Sequence, residues 1–149
     1  MASPKKRTGF KAASAGRYSV FLSHSSKDRW VARQMARLIE EAGRAQGIRT
    51  FLDEKDIRGG DSISQTIRAN LRACSELVVL LTRNSVKREW VLVEIAGAWV
   101  LGKRVVAITD QVLPKELPDV IANCLAIDLN DFDTYLTDVL YRAKELKTP

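Results

Sequence analysis

Leu77, Val78, Val79, Leu80 and Leu81 form an unbroken apolar run. It is too uniformly apolar for a strand with one wet face and too short for an ordinary helix. Such a run predicts a central strand of a parallel sheet, covered on both faces. Thr82, Arg83, Asn84 and Ser85 interrupt it, and over residues 86–101 apolar residues return at helical spacing. Trp90 and Glu94 are four residues apart and so share one helix face. Open α/β sheets bind ligands beyond the carboxyl ends of their strands, and a helix that follows this strand can turn that face to the crevice. A ring beside a carboxylate suits a planar, cationic substrate; a packed ring and a solvated charge is the competing reading of the same pair.

The strand-then-helix pattern repeats along the chain. Residues 18–22 (YSVFL) predict a strand that ends in the small polar loop Ser23, His24, Ser25 and Ser26. An amphipathic helix follows, with Trp30, Val31, Met35, Leu38 and Ile39 as its apolar positions, running to about Ala42 and stopping at Gly43. Loop amides and hydroxyls at such a junction hold phosphate, or Ser25 or Ser26 simply caps the helix; on the loop alone both readings stay open. His24, the one histidine, reads as a hydrogen-bonded structural residue, because no nucleophile and orienting partner accompany it.

Residues 48–52 (IRTFL) predict the second strand, and residues 53–61 (DEKDIRGGD) a charged loop before a helix over 62–73. The Gly59-Gly60 pair supplies positive φ and flexibility. Four acids in this loop match no EF-hand spacing and are half offset by Lys55 and Arg58, so no metal site is expected. The loop reads as a contact or gating element. Residues 104–109 (RVVAIT) predict a fourth strand, residues 111–119 an irregular connection with Pro114 and Pro118, and residues 124–129 a short fifth strand. Phe132, Tyr135, Leu136, Val139, Leu140 and Leu146 give residues 131–147 an amphipathic helical pattern.

This alternation predicts an α/β fold: a flavodoxin-like five-stranded parallel sheet of order 2-1-3-4-5 with helices on both faces. The crevice then lies where the first and third strands diverge, and the loop at His24 meets the start of the Trp90 helix there. Trp99, about 180° around the helix from Trp90, is expected in the core or in helix packing.

With 149 residues, 46% hydrophobic and 28% charged, the chain suits one domain. Its formal charge of +6 divides unevenly. Lys5, Lys6, Arg7, Lys11 and Arg17 stand in residues 1–17 without an acid, and the remainder carries 19 bases against 18 acids. Residues 1–17 hold one large apolar side chain, Phe10, and are expected to be a disordered basic tail. Nucleic-acid binding, if any, is therefore assigned to that tail and not to the domain. Cys74 and Cys124 match no metal or disulfide spacing and are expected as buried thiols in a reducing compartment. No apolar run reaches membrane-spanning length and the N-terminus lacks a signal-peptide apolar region, so a cytoplasmic protein without a membrane partner is expected.

Three segments carry a family resemblance: YSVFLSHSSKD at the first strand, TFLDEKDIRGGDSI at the second strand and its loop, and SVKREWVLVEI with a Trp-x-x-x-Glu pair. In this order the chain resembles a Toll/interleukin-1 receptor (TIR) domain of bacterial type over residues 18–147. The resemblance implies either an adaptor module that self-associates or an enzyme that cleaves NAD+ at the nicotinamide-ribosyl bond, of the kind used in bacterial antiphage signalling. It implies Glu94 as the catalytic glutamate, Trp90 as the aromatic residue lining the substrate site, and Ser23, His24 and Ser25 as the loop shaping the nucleotide pocket. Asp53, Arg58, Gly59 and Gly60 fall in the BB loop, which governs assembly and access. NAD+ enters as substrate, with no cofactor or metal. The expected partners are further TIR domains and a sensor or effector protein that triggers assembly.

Overall fold

The computed structural model describes residues 17–52, 65–122, 124 and 126–146. The expected basic tail, save Arg17, and the charged loop at 53–61 lie outside the described residues. Five strands, β1 (Ser19–Ser23), β2 (Arg49–Leu52), β3 (Glu76–Leu81), β4 (Arg104–Thr109) and β5 (Ala126–Asp128), alternate with α1 (Arg29–Ala42), α2 (Gln65–Ala73), α3 (Glu89–Val100) and α4 (Phe132–Leu146). The sheet order is β2-β1-β3-β4-β5, and every pairing is parallel. The flavodoxin-like order predicted from the alternation is the one found.

The apolar run at 77–81 forms most of the central strand, and all six β3 residues are buried. Strand pleating divides the core into two layers. Val20, Leu22, Val78, Leu80 and Ile108 point to the face covered by α1 and α4, where they meet Met35, Ile39, Tyr135 and Val139. Phe21, Leu77, Val79, Leu81 and Ala107 point to the other face, beneath Ile67, Leu71, Trp90, Val91 and Ile95 of α2 and α3. β1 and β3 lie side by side with Leu22 opposite Val78 and Ser23 opposite Val79, yet their following helices cover opposite faces. That divergence falls at the carboxyl end of β1, at Ser23, the place where open α/β sheets bind ligands.

Four expectations about burial are corrected. Trp30 is 72% and Leu38 40% exposed, because the stripe that α1 buries is Ala32, Met35, Ala36 and Ile39. Two alanines let the helix lie close to the sheet and leave Trp30 and Leu38 to the side. Trp99 is 73% exposed: it does sit across the helix from the Trp90 stripe, and that side has no covering element among the described residues. Leu146, in the last turn of α4, is also exposed. Of the two thiols, Cys74 is buried and Cys124 only half-buried.

Glu76, the first residue of β3, carries a constellation that sequence periodicity did not flag. Its carboxylate is wholly buried and accepts hydrogen bonds from the Tyr18 hydroxyl, from the Tyr135 hydroxyl at 2.6 Å, and from Arg142 Nε at 2.8 Å and Nη2 at 3.0 Å. A buried carboxylate is tolerated when a bidentate guanidinium and further donors satisfy it. This group ties α4 to the amino end of β3, at the opposite end of the sheet from the crevice.

Candidate active site

The site begins with the two loops that leave β1 and β3. After Ser23 the chain passes through His24 and Ser25 into a 3₁₀ turn at Ser26–Asp28, and α1 starts at Arg29. The Ser25 side chain accepts the Lys27 N–H at 3.3 Å. The capping alternative for this loop is thus realised, on a 3₁₀ turn that precedes the helix. Ser23, His24 and Ser25 are all buried. Ser23 alternates with Phe21 onto the α2–α3 face, and its Oγ has no hydrogen-bond partner among the described residues.

The loop after β3 is fixed by its own short polar side chains. Ser85 Oγ accepts the Thr82 N–H at 2.9 Å and donates to the Leu80 carbonyl at 2.8 Å. Thr82 Oγ1 accepts the Asn84 N–H at 3.0 Å. Asp28 then joins the two loops, taking the Thr82 hydroxyl at 2.6 Å and the Asn84 side-chain amide at 2.8 Å. In the sequence these residues register only as breakers of the apolar run, although Ser, Thr and Asn at such spacing are typical turn-forming side chains.

From this turn α3 descends across the sheet. Trp90, in its first turn, is buried against the layer that holds Val79 and Leu81. Its indole N–H has no hydrogen-bond partner among the described residues. Glu94 lies one turn further along, about 6 Å at the usual helical rise, with none of its surface exposed to solvent. The solvated-charge reading of this glutamate is therefore set aside. A carboxylate fully withdrawn from water is costly, and such residues in clefts concentrate at functional sites. Ser23 Oγ and Trp90 Nε1 are thus buried polar atoms that lack partners among the described residues, which is uncommon in folded proteins.

The structure thus brings Ser23, Trp90 and Glu94 to one side of the sheet beyond the β1–β3 divergence, with His24 and Ser25 in the loop above. Asp53, Arg58, Gly59 and Gly60 lie outside the described residues.

A family model described as "TIR domain" matches residues 20–140. A protein of Brachypodium distachyon named "Probable 2' cyclic ADP-D-ribose synthase BdTIR" is 29% identical over 135 residues, covering 89% of this chain and 56% of that protein. "2' cyclic ADP-D-ribose synthase AbTIR" of Acinetobacter baumannii is 30% identical over 80 residues, 54% of this chain and 29% of that protein. The chain therefore spans little more than half of the first relative and under a third of the second. Among solved structures, the TIR domain of the Toll-related receptor TRR-2 from Hydra magnipapillata superposes with a TM-score of 0.58 at 17% identity, covering 87% of this chain and 98% of that one. This last likeness speaks to the fold alone.

Proposed function

The chain belongs to the TIR domain family, and on that premise we propose that it cleaves NAD+ at the nicotinamide-ribosyl bond with Glu94 as the catalytic carboxylate. The observation that carries the reading is Glu94 itself, wholly buried one helical turn from Trp90 on the helix that follows the central strand. Nicotinamide departs as a neutral molecule, so no general acid has to protonate the leaving group, in contrast to ordinary glycoside hydrolysis. One carboxylate is enough. As the C–N bond breaks, positive charge develops on the ribose, and a buried anion stabilises it far more strongly than one in water. Trp90 is assigned to position the substrate, and Ser23, whose hydroxyl has no partner among the described residues, to contact it; the loop at His24 and Ser25 shapes the nucleotide end.

The ribosyl cation is then captured either by water, giving ADP-ribose, or by a hydroxyl of the same molecule, giving a cyclic isomer. The names of the two relatives favour the cyclic product. Activity is proposed to depend on self-association, and α3 supports this: beyond Glu89 and Glu94 it carries no charged residue, and Leu92, Val93, Trp99 and Val100 are exposed. Helices of that kind are normally covered on all sides.

The test is incubation of concentrated protein with NAD+, products separated chromatographically, beside a Glu94→Gln variant that keeps the side-chain shape. Loss of NAD+ with wild type alone is the expected result. Equal turnover by both removes Glu94 from the chemistry. Intact NAD+ in the presence of well-formed oligomers would turn the reading to a non-enzymatic TIR interaction module.

A further inference from the structure

The near-neutral charge sum of the domain conceals an uneven distribution. Along the outer edge of the sheet, β2 and the C-terminal half of α1 border a groove of about 940 Å³ lined by Arg17, Arg33, Arg37, Arg44 and Arg49. The acids there are Glu40 and Glu41, and the Glu40 carboxylate accepts both the Thr50 N–H at 3.0 Å and its hydroxyl at 2.9 Å. The charge count alone places the excess of base in residues 1–17; apart from Arg17, the arginines of this groove belong to the folded domain.

We propose that this groove binds the phosphate backbone of duplex nucleic acid. All five cations are arginines, whose planar forks match phosphate oxygens in pairs. A protein partner is disfavoured on two counts. Interfaces between proteins are anchored chiefly by aromatic side chains, and among the described residues no aromatic lines this groove, whose large apolar members are the buried Ile48 and the half-buried Leu52. A peptide cannot simply extend the sheet at Thr50, because Glu40 already covers that edge amide. The missing aromatics also argue against a single strand, which binds by stacking its bases. What remains is sequence-independent contact with a charged backbone. Arg17 lies in the groove, and the sixteen residues that precede it in sequence carry Lys5, Lys6, Arg7 and Lys11 with no acid. The groove shares no residue with the Trp90–Glu94 site.

The test is fluorescence anisotropy of a labelled 20-base-pair DNA duplex titrated with the full chain between 50 and 200 mM salt. Each phosphate contact contributes about −0.9 to the slope of log K against log salt. Arg37→Ala/Arg44→Ala/Arg49→Ala is expected to make the slope shallower by about 2.7 and to weaken binding at least tenfold, while the Arg→Lys triple at the same positions restores the slope. Neutralising the tail with Lys5→Gln, Lys6→Gln, Arg7→Gln and Lys11→Gln should leave groove-dependent binding in place. The proposal is overturned by a wild-type slope in the alanine triple, by complete loss of binding in the tail variant, or by tighter binding of a single-stranded 20-mer. It is equally overturned if the alanine triple dissociates an oligomer formed without DNA, which would make a second copy the occupant. Unchanged circular dichroism establishes that each variant is folded.

Discussion

The Asp28 carboxylate accepts the Thr82 hydroxyl at 2.6 Å across a sequence separation of 54 residues. With the Asn84 amide on its other oxygen, Asp28 fixes the spacing of the two loops that frame the crevice. Hydrogen bonds to a charged group contribute about 1.5–3 kcal/mol, and the cost of leaving the partner unsatisfied adds to the loss. Asp28→Ala is expected to lower stability by about 2 kcal/mol in urea titrations. It should also depress NAD+ turnover beyond what the loss of folded protein explains. Asp28→Asn, which keeps one acceptor oxygen for Thr82, should fall between. Unaltered turnover per folded molecule in Asp28→Ala would show that the loop spacing does not matter to the site.

At the far end of β3 the opposite behaviour is expected. Arg142 pairs with the buried Glu76 carboxylate through Nε and Nη2. Removing one partner of such a pair strands the other charge and typically costs about 3–5 kcal/mol. Arg142→Met is therefore expected to be strongly destabilising while leaving the turnover of the remaining folded molecules near wild type, since Glu76 stands at the amino end of β3 and the loops at Ser23 and Thr82 at the carboxyl ends of β1 and β3. Loss of turnover at full stability would contradict this division of labour.

The contrast between these two carboxylate groups shows what the sequence makes legible. The apolar run at 77–81 has one sensible home, a doubly covered strand, and the strand–helix alternation around it leads to the observed order β2-β1-β3-β4-β5. Glu94 is legible because Trp90 stands four residues before it, inside a strand–turn–helix context. Glu76 is not, because a charged residue at a strand's first position resembles any solvent-facing terminus. Its partners Tyr18, Tyr135 and Arg142 are separated from it by 58, 59 and 66 residues. Asp28 escapes notice for the same reason: it lies among Lys27 and Arg29 and finds Thr82 only through the fold. Trp30 and Trp99 mislead in the other direction, since large apolar residues imply burial only where some element covers them.

The two thiols should differ in reactivity. Burial pushes the Cys74 thiol up to about 11 from 9.0, whereas Cys124 is half-buried. At pH 8 a thiol-disulfide reagent is expected to titrate Cys124 in the native protein and Cys74 only after unfolding. A group whose native pKa is raised stabilises the fold fully below its unfolded value and loses that contribution as pH rises towards the native one. Stability should thus decline from about pH 9 towards pH 11, and Tyr18 and Tyr135, both raised above 10.0 chiefly by burial and next by the charge of Glu76, steepen the fall above pH 10. Urea midpoints measured from pH 8 to 10.5 check this. A flat profile, or equal reaction of both native thiols, would contradict the burial of Cys74.

The outer side of α3 gives the prediction that bears most directly on assembly. Trp99 and Val100 are 73% and 78% exposed, although α3 carries only Glu89 and Glu94 as charged residues along its length. Large aromatic side chains dominate the energetics of protein interfaces, and a charge placed in such a contact is buried without a partner on association. Trp99→Glu is therefore expected to leave the monomer folded, since the side chain packs against nothing it needs, and to shift sedimentation-velocity profiles towards smaller species. If assembly activates the site, NAD+ turnover per chain should fall in the same proportion and recover as protein concentration is raised. A variant that is monomeric yet fully active would separate the chemistry at Glu94 from self-association.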